Sequence, residues 1–362
     1  MNGSSVWKML GTALLLALLP LASLPVEGVA GPPGYQRIAT FALGGLGGWD
    51  YLSLDSANRR LFIAREKHVL VLDADQGKVV GEIPDTLGVH GIALAPELGR
   101  GFTSNGGSAS VTIFDFKSLK GIGSVQTDAG PDAIVYDPKT GLVVTMNGRG
   151  NSATTIDAAS GKVRGTLALD GKPEFAVADG RGRIFVNLED QSAELEIDPV
   201  VPRIVHRWPL APCVEPSGLA IDREHRRLFA GCHNRMMAVV DADSGRVIAT
   251  PAIGAGVDAN AFDPTTQLAF SANGDGSLTV VREVAPGDFR VVETVNTKPG
   301  ARTMALDERT HNVYLVTADF GPTPAPTSEH PHPRPPILAD SFVVLVYGMG
   351  KSPEQGGGAP SL

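Results

Sequence analysis

The chain has 362 residues, with 31 Lys and Arg against 39 Asp and Glu, so its formal net charge is −8. This acidic balance disfavours non-specific binding to nucleic acid or to anionic lipid, and nucleic acid is not expected as a partner. The 43 glycines and 27 prolines, with 6% aromatic residues, are typical of many short strands joined by tight turns rather than of long helices.

The first predicted element is a signal peptide over residues 1–30. Lys8 supplies a positive start, the run MLGTALLLALLPLASLPV is apolar, and small residues precede Ala30. Pro20 and Pro25 interrupt the run, which makes a permanent membrane span the weaker interpretation. We expect cleavage near Ala30, export to the periplasm or the medium, and no membrane span in the mature chain.

A repeat of about 42 residues follows, in which a short apolar run ends in aspartate. Successive markers are 40–44 residues apart: Asp55, Ala95, Asp137, Asp179, Asp222, Asp263 and Asp307. Asp-Ser/Gly turns recur between the markers, and such turns join antiparallel strands because Gly tolerates positive φ and Asp binds its own backbone. Seven units of four antiparallel strands predict an all-β, seven-bladed β-propeller.

The two ends of the repeat region complement each other. The seventh unit lacks a fourth strand, and the run YQRIATFAL over residues 35–43 has the shape of one. Pairing it onto the last blade would close the ring and hide both sheet edges. We therefore predict one propeller over residues 31–349, with a Pro-rich insertion at 321–340 in the last blade and a flexible tail over 350–362.

The third unit, PDAIVYDPKTGLVVTMNGRGNSATTIDAASGKVRGTL over residues 131–167, resembles the repeat of the YVTN-repeat β-propellers, which include YncE-like exported bacterial proteins. The resemblance covers about residues 35–348. It implies a propeller in a periplasmic or extracellular setting. It leaves the function open, because members include binding proteins, surface proteins and relatives of cofactor-linked propellers.

The only two cysteines are Cys213 and Cys232, and Cys232 is followed by His233. Adjacent side chains at a strand end point to opposite faces, which argues against a thiolate–imidazole pair. The chain has no C-x-x-C-H haem tether, and it has no further Cys at metal-site spacing. Both cysteines fall on one rim of the fifth unit, so we predict a Cys213–Cys232 disulfide.

Cys232 lies ten residues after its repeat marker, at the end of the second strand. The same step leads to Asn105, Asn147 and Asn273 in three other units. Asn favours the turn into the next loop, so we interpret these three residues as turn formers.

One position in the loop that leads into each inner strand, five residues before the marker, is polar in all seven units. These residues are Asp50, His90, Asp132, Glu174, Ser217, Asp258 and Arg302. Equivalent positions in a propeller surround the mouth of the central channel, so we predict a ligand site there. Crowded carboxylates repel one another or recruit a cation. The residues that could hold a divalent cation are His90, Asp132, Glu174 and Asp258.

Two nearby features have a structural and a functional interpretation. Trp49, beside Asp50, either packs between blades or stacks on a ligand. The insertion carries His330, His332 and Arg334. It is either a plain surface loop or a segment that uses these residues to bind a metal weakly or to contact a partner.

For function we favour an exported, monomeric, non-catalytic binding or scaffold protein that holds a protein partner or small ligand at the channel mouth. No catalytic residue is assigned. The alternative is a metal-dependent lactonase- or lyase-like propeller enzyme that uses the acidic rim.

Overall fold

The computed structural model describes residues 1–3, 34–327 and 333–350. The predicted signal peptide after its third residue, the insertion residues His330 and His332, and the tail from residue 351 lie outside this described part of the chain. Within it, no helix is long and apolar enough to cross a membrane. The predicted fold is confirmed, because the strands form seven four-stranded antiparallel sheets arranged as blades of a propeller.

In blades 1 to 6, the four strands of each blade are consecutive in the chain. The first strand, β1 (Tyr35–Ala42), belongs to the last blade, and blade 1 contains β2 (Leu52–Asp55), β3 (Arg60–Arg65), β4 (His68–Asp73) and β5 (Val79–Ile83). Blade 2 contains β6 (Val89–Ala95), β7 (Arg100–Asn105), β8 (Ser110–Asp115) and β9 (Gly121–Gln126). Blade 3 contains β10 (Pro131–Asp137), β11 (Leu142–Asn147), β12 (Ser152–Asp157) and β13 (Val163–Ala168). Blade 4 contains β14 (Pro173–Ala178), β15 (Ile184–Leu188), β16 (Ala193–Asp198) and β17 (Arg203–Pro209).

The remaining blades follow the same order. Blade 5 contains β18 (Pro216–Asp222), β19 (Arg227–Cys232), β20 (Met236–Asp241) and β21 (Val247–Ala249). Blade 6 contains β22 (Val257–Asp263), β23 (Leu268–Asn273), β24 (Ser277–Ala285) and β25 (Asp288–Asn296). Blade 7 contains β26 (Met304–Asp307), β27 (Asn312–Thr317) and β28 (Val343–Met349), and short 3-10 turns occur at Pro96–Leu98 and Glu189–Gln191.

The ring is closed by β1, as the sequence predicts. β1 pairs antiparallel with β28, from Tyr35 opposite Met349 to Ala42 opposite Val343. Each innermost strand contacts the innermost strand of the next blade, including β2 against β26. The ring therefore has no open edge between the first blade and the last.

The hydrophobic core lies between the blades. Leu61 and Ile63 of blade 1 pack against Tyr314 and Val344 of blade 7, and all four are almost fully buried. Similar clusters of buried apolar side chains occupy the other blade interfaces. The middle strands of a blade are thus covered on both faces, unlike the strands of a sheet with one solvated face.

The repeat aspartates form turns and also join neighbouring blades. Asp179 accepts a hydrogen bond from the backbone N–H of Arg181 at 2.7 Å, which fixes the turn after β14. Its other carboxylate oxygen accepts a bond from Arg226 of blade 5 at 3.0 Å. In the same way, Asp263 of blade 6 pairs with His311 of blade 7 at 2.6 Å. The repeat aspartate therefore fixes both the end of the innermost strand and a contact to the next blade.

The predicted disulfide is confirmed. Cys213, in the loop before β18, is bonded to Cys232 at the end of β19, with 5.5 Å between their Cα atoms. Both cysteines are buried. His233 contacts Glu215, with 3.2 Å between imidazole Nδ1 and Oε2, and does not contact the sulfur atoms. The Cys-His pair is therefore a structural link followed by a surface histidine.

Candidate ligand-binding site at the channel mouth

β-Bulges position five of the seven predicted mouth residues. The pairing of the first and second strands slips between Pro131 and Ile134 in blade 3, and the same slip occurs in blades 2, 4, 5 and 6. Each slip encloses the predicted residue, and a bulge re-aims a side chain away from the normal alternation of a strand. The other two residues, Asp50 and Arg302, lie two residues before β2 and β26.

Asp50, His90 and Asp132 form the first cluster at the mouth. His90 Nδ1 lies 2.5 Å from Asp50 Oδ2 and 3.8 Å from Asp132 Oδ1. Burial opposes the imidazolium charge, but the hydrogen bond to Asp50 and the charges of Asp132 and Asp50 outweigh it and raise the pKa of His90 to about 9. Burial raises the pKa of Asp132 to about 6, against the lowering effect of His90. At neutral pH the cluster therefore contains its own cation, the imidazolium.

Glu174 forms a second cluster with a lysine that the repeat count does not indicate. Lys172 Nζ lies 3.4 Å from Glu174 Oε2, and it also donates a hydrogen bond to Glu189. Burial raises the pKa of Glu174 to about 8, the Asp132 charge adds to this rise, and Lys172 opposes it. Burial therefore disfavours the charged form of Glu174, while Lys172 provides a positive charge at the rim.

The third cluster joins blades 5, 6 and 7. Ser217 Oγ donates to Asp258 Oδ1 at 3.2 Å, and Arg302 Nε lies 3.0 Å from Asp258 Oδ2. Burial raises the pKa of Asp258, and the Arg302 guanidinium opposes that rise. Asp258 is mostly covered, whereas the Arg302 side chain is 48% exposed. The guanidinium thus faces the solvent above a carboxylate that it partly neutralises.

These pairings show which residues could share a metal ion. Ligand atoms of Asp50, His90 and Asp132 all lie within 4.8 Å of one another, and they form a possible three-ligand set among the described residues. Glu174 and Asp258, which the sequence places in the cation-binding subset, instead contact Lys172 and Arg302. A metal at the first cluster would have to displace the proton of His90, because a histidine ligand is neutral.

The channel is closed below the charged mouth. Tyr51 of blade 1 and Phe175 of blade 4 meet across the ring, with 4.9 Å between ring centroids in an edge-on arrangement. Tyr51 is 7% exposed. Burial and the charges of Asp258, Glu174 and Asp50 raise its pKa well above the usual value. The mouth is therefore the top of a closed cup, and a separate cavity of about 280 Å³ lies on the other side of the two rings.

Two adjoining cavities open beside the mouth. One of about 410 Å³ is lined by Asp50, His90 and Arg302 among others, and one of about 570 Å³ extends under the insertion. Both are lined by Trp49, Glu66, Arg302 and Arg334. Trp49 packs on Phe342, with 5.4 Å between centroids, and still contributes to both cavities. The position of Trp49 is thus compatible both with packing between blades and with stacking on a ligand.

Comparison with known proteins identifies a fold and no family. No profile of a known protein family matches the chain, and no curated protein matches it. Among solved structures, Kuenenia stuttgartiensis hydrazine synthase is 14% identical with a TM-score of 0.66, over 75% of this chain and 92% of that one. U3-55K is 10% identical with a TM-score of 0.70, over 87% of this chain and 99% of that one. At such identities the likeness concerns the propeller fold alone.

Proposed function

We propose that the protein is an exported, non-catalytic binding propeller that holds a small ligand or a partner at the channel mouth. The observation that carries this proposal is the pair of cavities of about 410 and 570 Å³ beside a ring of ion-paired side chains. Each volume lies in the range of small-molecule sites, which combine apolar walls with a few polar groups. The closed channel favours binding over passage, because Tyr51 and Phe175 block the axis.

Export is supported by the N-terminal sequence pattern and by the disulfide. A Cys213–Cys232 bond persists in oxidising compartments such as the periplasm. The resemblance to YncE-like YVTN-repeat proteins agrees with that setting. We therefore include membership of this family in the proposal.

A metal-dependent lactonase- or lyase-like enzyme is the second candidate, and one observation favours it. Asp50, His90 and Asp132 could present three ligand atoms to a divalent ion. Against it, the His90 imidazole already contacts Asp50 at 2.5 Å, and its raised pKa of about 9 makes a proton a strong competitor for the metal.

One set of measurements separates the two candidates. The exported protein, purified without chelator, is analysed for metal and incubated with a panel of lactones, and its melting temperature is recorded against small carboxylates, amines, amides and sugars. We expect no stoichiometric metal, no turnover, and stabilisation by at least one compound that is lost in Trp49→Ala. Metal at one equivalent together with turnover would overturn the binding-protein proposal.

A further inference from the structure

We infer that the 570 Å³ cavity selects an organic carboxylate, with its anionic group between Arg302 and Arg334 and its apolar body against Trp49 and Phe320. This inference rests on the proposed binding function and assigns a ligand class to it. It differs from the sequence-based expectation of an acidic rim that recruits a cation.

The charges that face the cavity favour an anion. Arg334 forms no ion pair with any residue that the structure describes, and Arg302, which contacts Asp258 through its Nε, also lines the cavity. Glu66 is the single carboxylate in the lining, and its Oε1 already accepts the backbone N–H of Gly48 at 2.7 Å. Two guanidinium groups, one of them paired with Asp258, therefore line the cavity with one carboxylate, that of Glu66, in a protein of net charge −8.

A singly charged carboxylate fits the charges of the cavity lining better than a dianion does. A guanidinium fork matches the two oxygens of a carboxylate. Glu66 and, in the adjoining cavity, Asp50 would repel a second negative charge on the ligand.

The remaining walls are apolar and held in place. Trp49 packs against Phe342 at 5.4 Å and Phe320 at 6.1 Å between ring centroids. The Arg65 guanidinium lies 3.8 Å from the Phe342 ring centroid, and this cation–π contact fixes the support under Trp49. An aromatic or aliphatic ligand body would therefore meet a preformed surface.

The described arms of the insertion are joined by backbone hydrogen bonds. Phe320 forms a β-bridge with Ile337. The N–H of Gly321 donates to the Pro336 carbonyl, and the N–H of Leu338 donates to the Asp319 carbonyl, each at 2.8 Å. These bonds hold the two arms together, and Arg334 and Ile337 line the same cavity as Trp49. The insertion therefore contributes both a positive charge, that of Arg334, and part of the apolar wall of the cavity.

Three glycines allow the floor and the wall of the cavity to pack closely. Gly300 lines the cavity with φ +79°, and a Cβ there would approach the Phe320 ring to 2.8 Å. The backbone N–H of Gly300 donates to the Gly274 carbonyl, and that of Gly274 donates to the Gly256 carbonyl, each at 2.9 Å. The floor is thus bonded backbone without side chains.

Calorimetric titration with phenylacetate and its neutral isostere phenylacetamide tests the inference on the intact exported protein. We expect phenylacetate to bind at least about tenfold more tightly than the amide, because charged hydrogen bonds are worth roughly 1.5–3 kcal/mol. Arg334→Gln should reduce this preference to about threefold or less. The matched control is Arg290→Gln, at an arginine that pairs with Asp288 in a hairpin of blade 6 and is 68% exposed; it should leave the preference unchanged.

The outcomes separate the ligand class from the binding function. Equal binding of acid and amide, both lost in Trp49→Ala, would overturn the carboxylate assignment while the mouth remains a binding site. Phenyl phosphate binding more tightly than phenylacetate would also overturn the assignment. If none of the probes binds at millimolar concentration, or if binding survives Trp49→Ala, the carboxylate assignment is overturned. The mouth as a binding site is overturned as well if no amine, amide or sugar of the wider panel stabilises the protein.

Discussion

At the scale of single residues, an unusual buried acid occurs outside the set of seven mouth residues. Glu194 of β16 is fully buried, and neither carboxylate oxygen has a hydrogen-bond partner among the described residues. It lies opposite Asn187 of β15, whose side-chain oxygen also lacks a described partner. Burial raises the pKa of Glu194 to about 8, so the acid is neutral below that pH and has a proton to donate.

We predict that Glu194 makes the stability pH-dependent. Its folded-state pKa of about 8 exceeds the unfolded value, so the folded state binds more protons and stability falls as pH rises from about 4.5 to about 8. Glu194→Gln should make this fall smaller without abolishing it, because Glu174, with a pKa of about 8, and His90, with a pKa of about 9, contribute in the same direction. The measurement is the urea-unfolding free energy at pH values below and above that window.

Glu82→Gln, at an exposed position of β5, is the control for this prediction and should keep the wild-type slope. A Glu194→Gln protein with the wild-type slope would show that another group carries the dependence.

The sequence could not predict this burial. Alternating Ala-Glu-Leu-Glu in β16 is the pattern of a strand with one solvated face, on which both glutamates would be exposed. Blades cover both faces of their middle strands, so Glu194 is buried while Glu196 reaches His206 and solvent. The repeat does not indicate Lys172 for a different reason. This lysine lies two residues before the repeat position that locates Glu174.

At the scale of strands, the three predicted turn asparagines have a second role. Asn147 ends β11 with its side chain fully buried, and it donates to Ser152 at 3.0 Å and Thr154 at 2.9 Å on β12. Asn105 and Asn273 make the same kind of bonds to the third strands of their blades. The Asn147 carbonyl also accepts the backbone N–H of Gly150 at 3.1 Å, and Asn105 and Asn273 accept the same kind of turn bond. These residues therefore begin the predicted turn and, through their side chains, also join two strands of the blade.

We predict that Asn147→Ala destabilises the fold by about 1–3 kcal/mol, because it removes the two bonds to β12 and the acceptor of the buried Thr145 hydroxyl. Blade 4 has Leu188 opposite Ala193 at the equivalent pair. The double change Asn147→Leu with Ser152→Ala copies that apolar pair and should be less destabilising than Asn147→Ala alone. Urea unfolding of both variants measures the difference, and the reverse order of stabilities would contradict this account.

At the scale of the whole molecule, the repeat period was enough to predict the ring. The regular markers locate the blades and the missing fourth strand, and β1 fills that place. The same count locates one polar residue per blade at the mouth. It could not give their pairings, because salt bridges such as Asp258 with Arg302 depend on the bulges and on side-chain rotamers, which have no fixed period.

We predict that removing residues 34–42 destabilises all seven blades together, because β28 is left as an unpaired edge and the ring loses its closure. The measurement is the urea midpoint with and without a synthetic peptide of residues 34–42. The peptide should restore stability by adding a strand to β28, and a scrambled peptide should not. A deletion protein with the wild-type midpoint would disprove the role of β1.

The contact of Tyr51 with Phe175 at 4.9 Å has a kinetic consequence. A molecule held at the mouth has one route in and the same route out, so its release cannot be accelerated by a second molecule arriving from the opposite side. A competing ligand can bind only after the first ligand has left the mouth. When the site is saturated, the apparent association rate of the competitor is therefore limited by the dissociation rate of the first ligand. A molecule in the cavity of about 280 Å³ on the far side would not use that route.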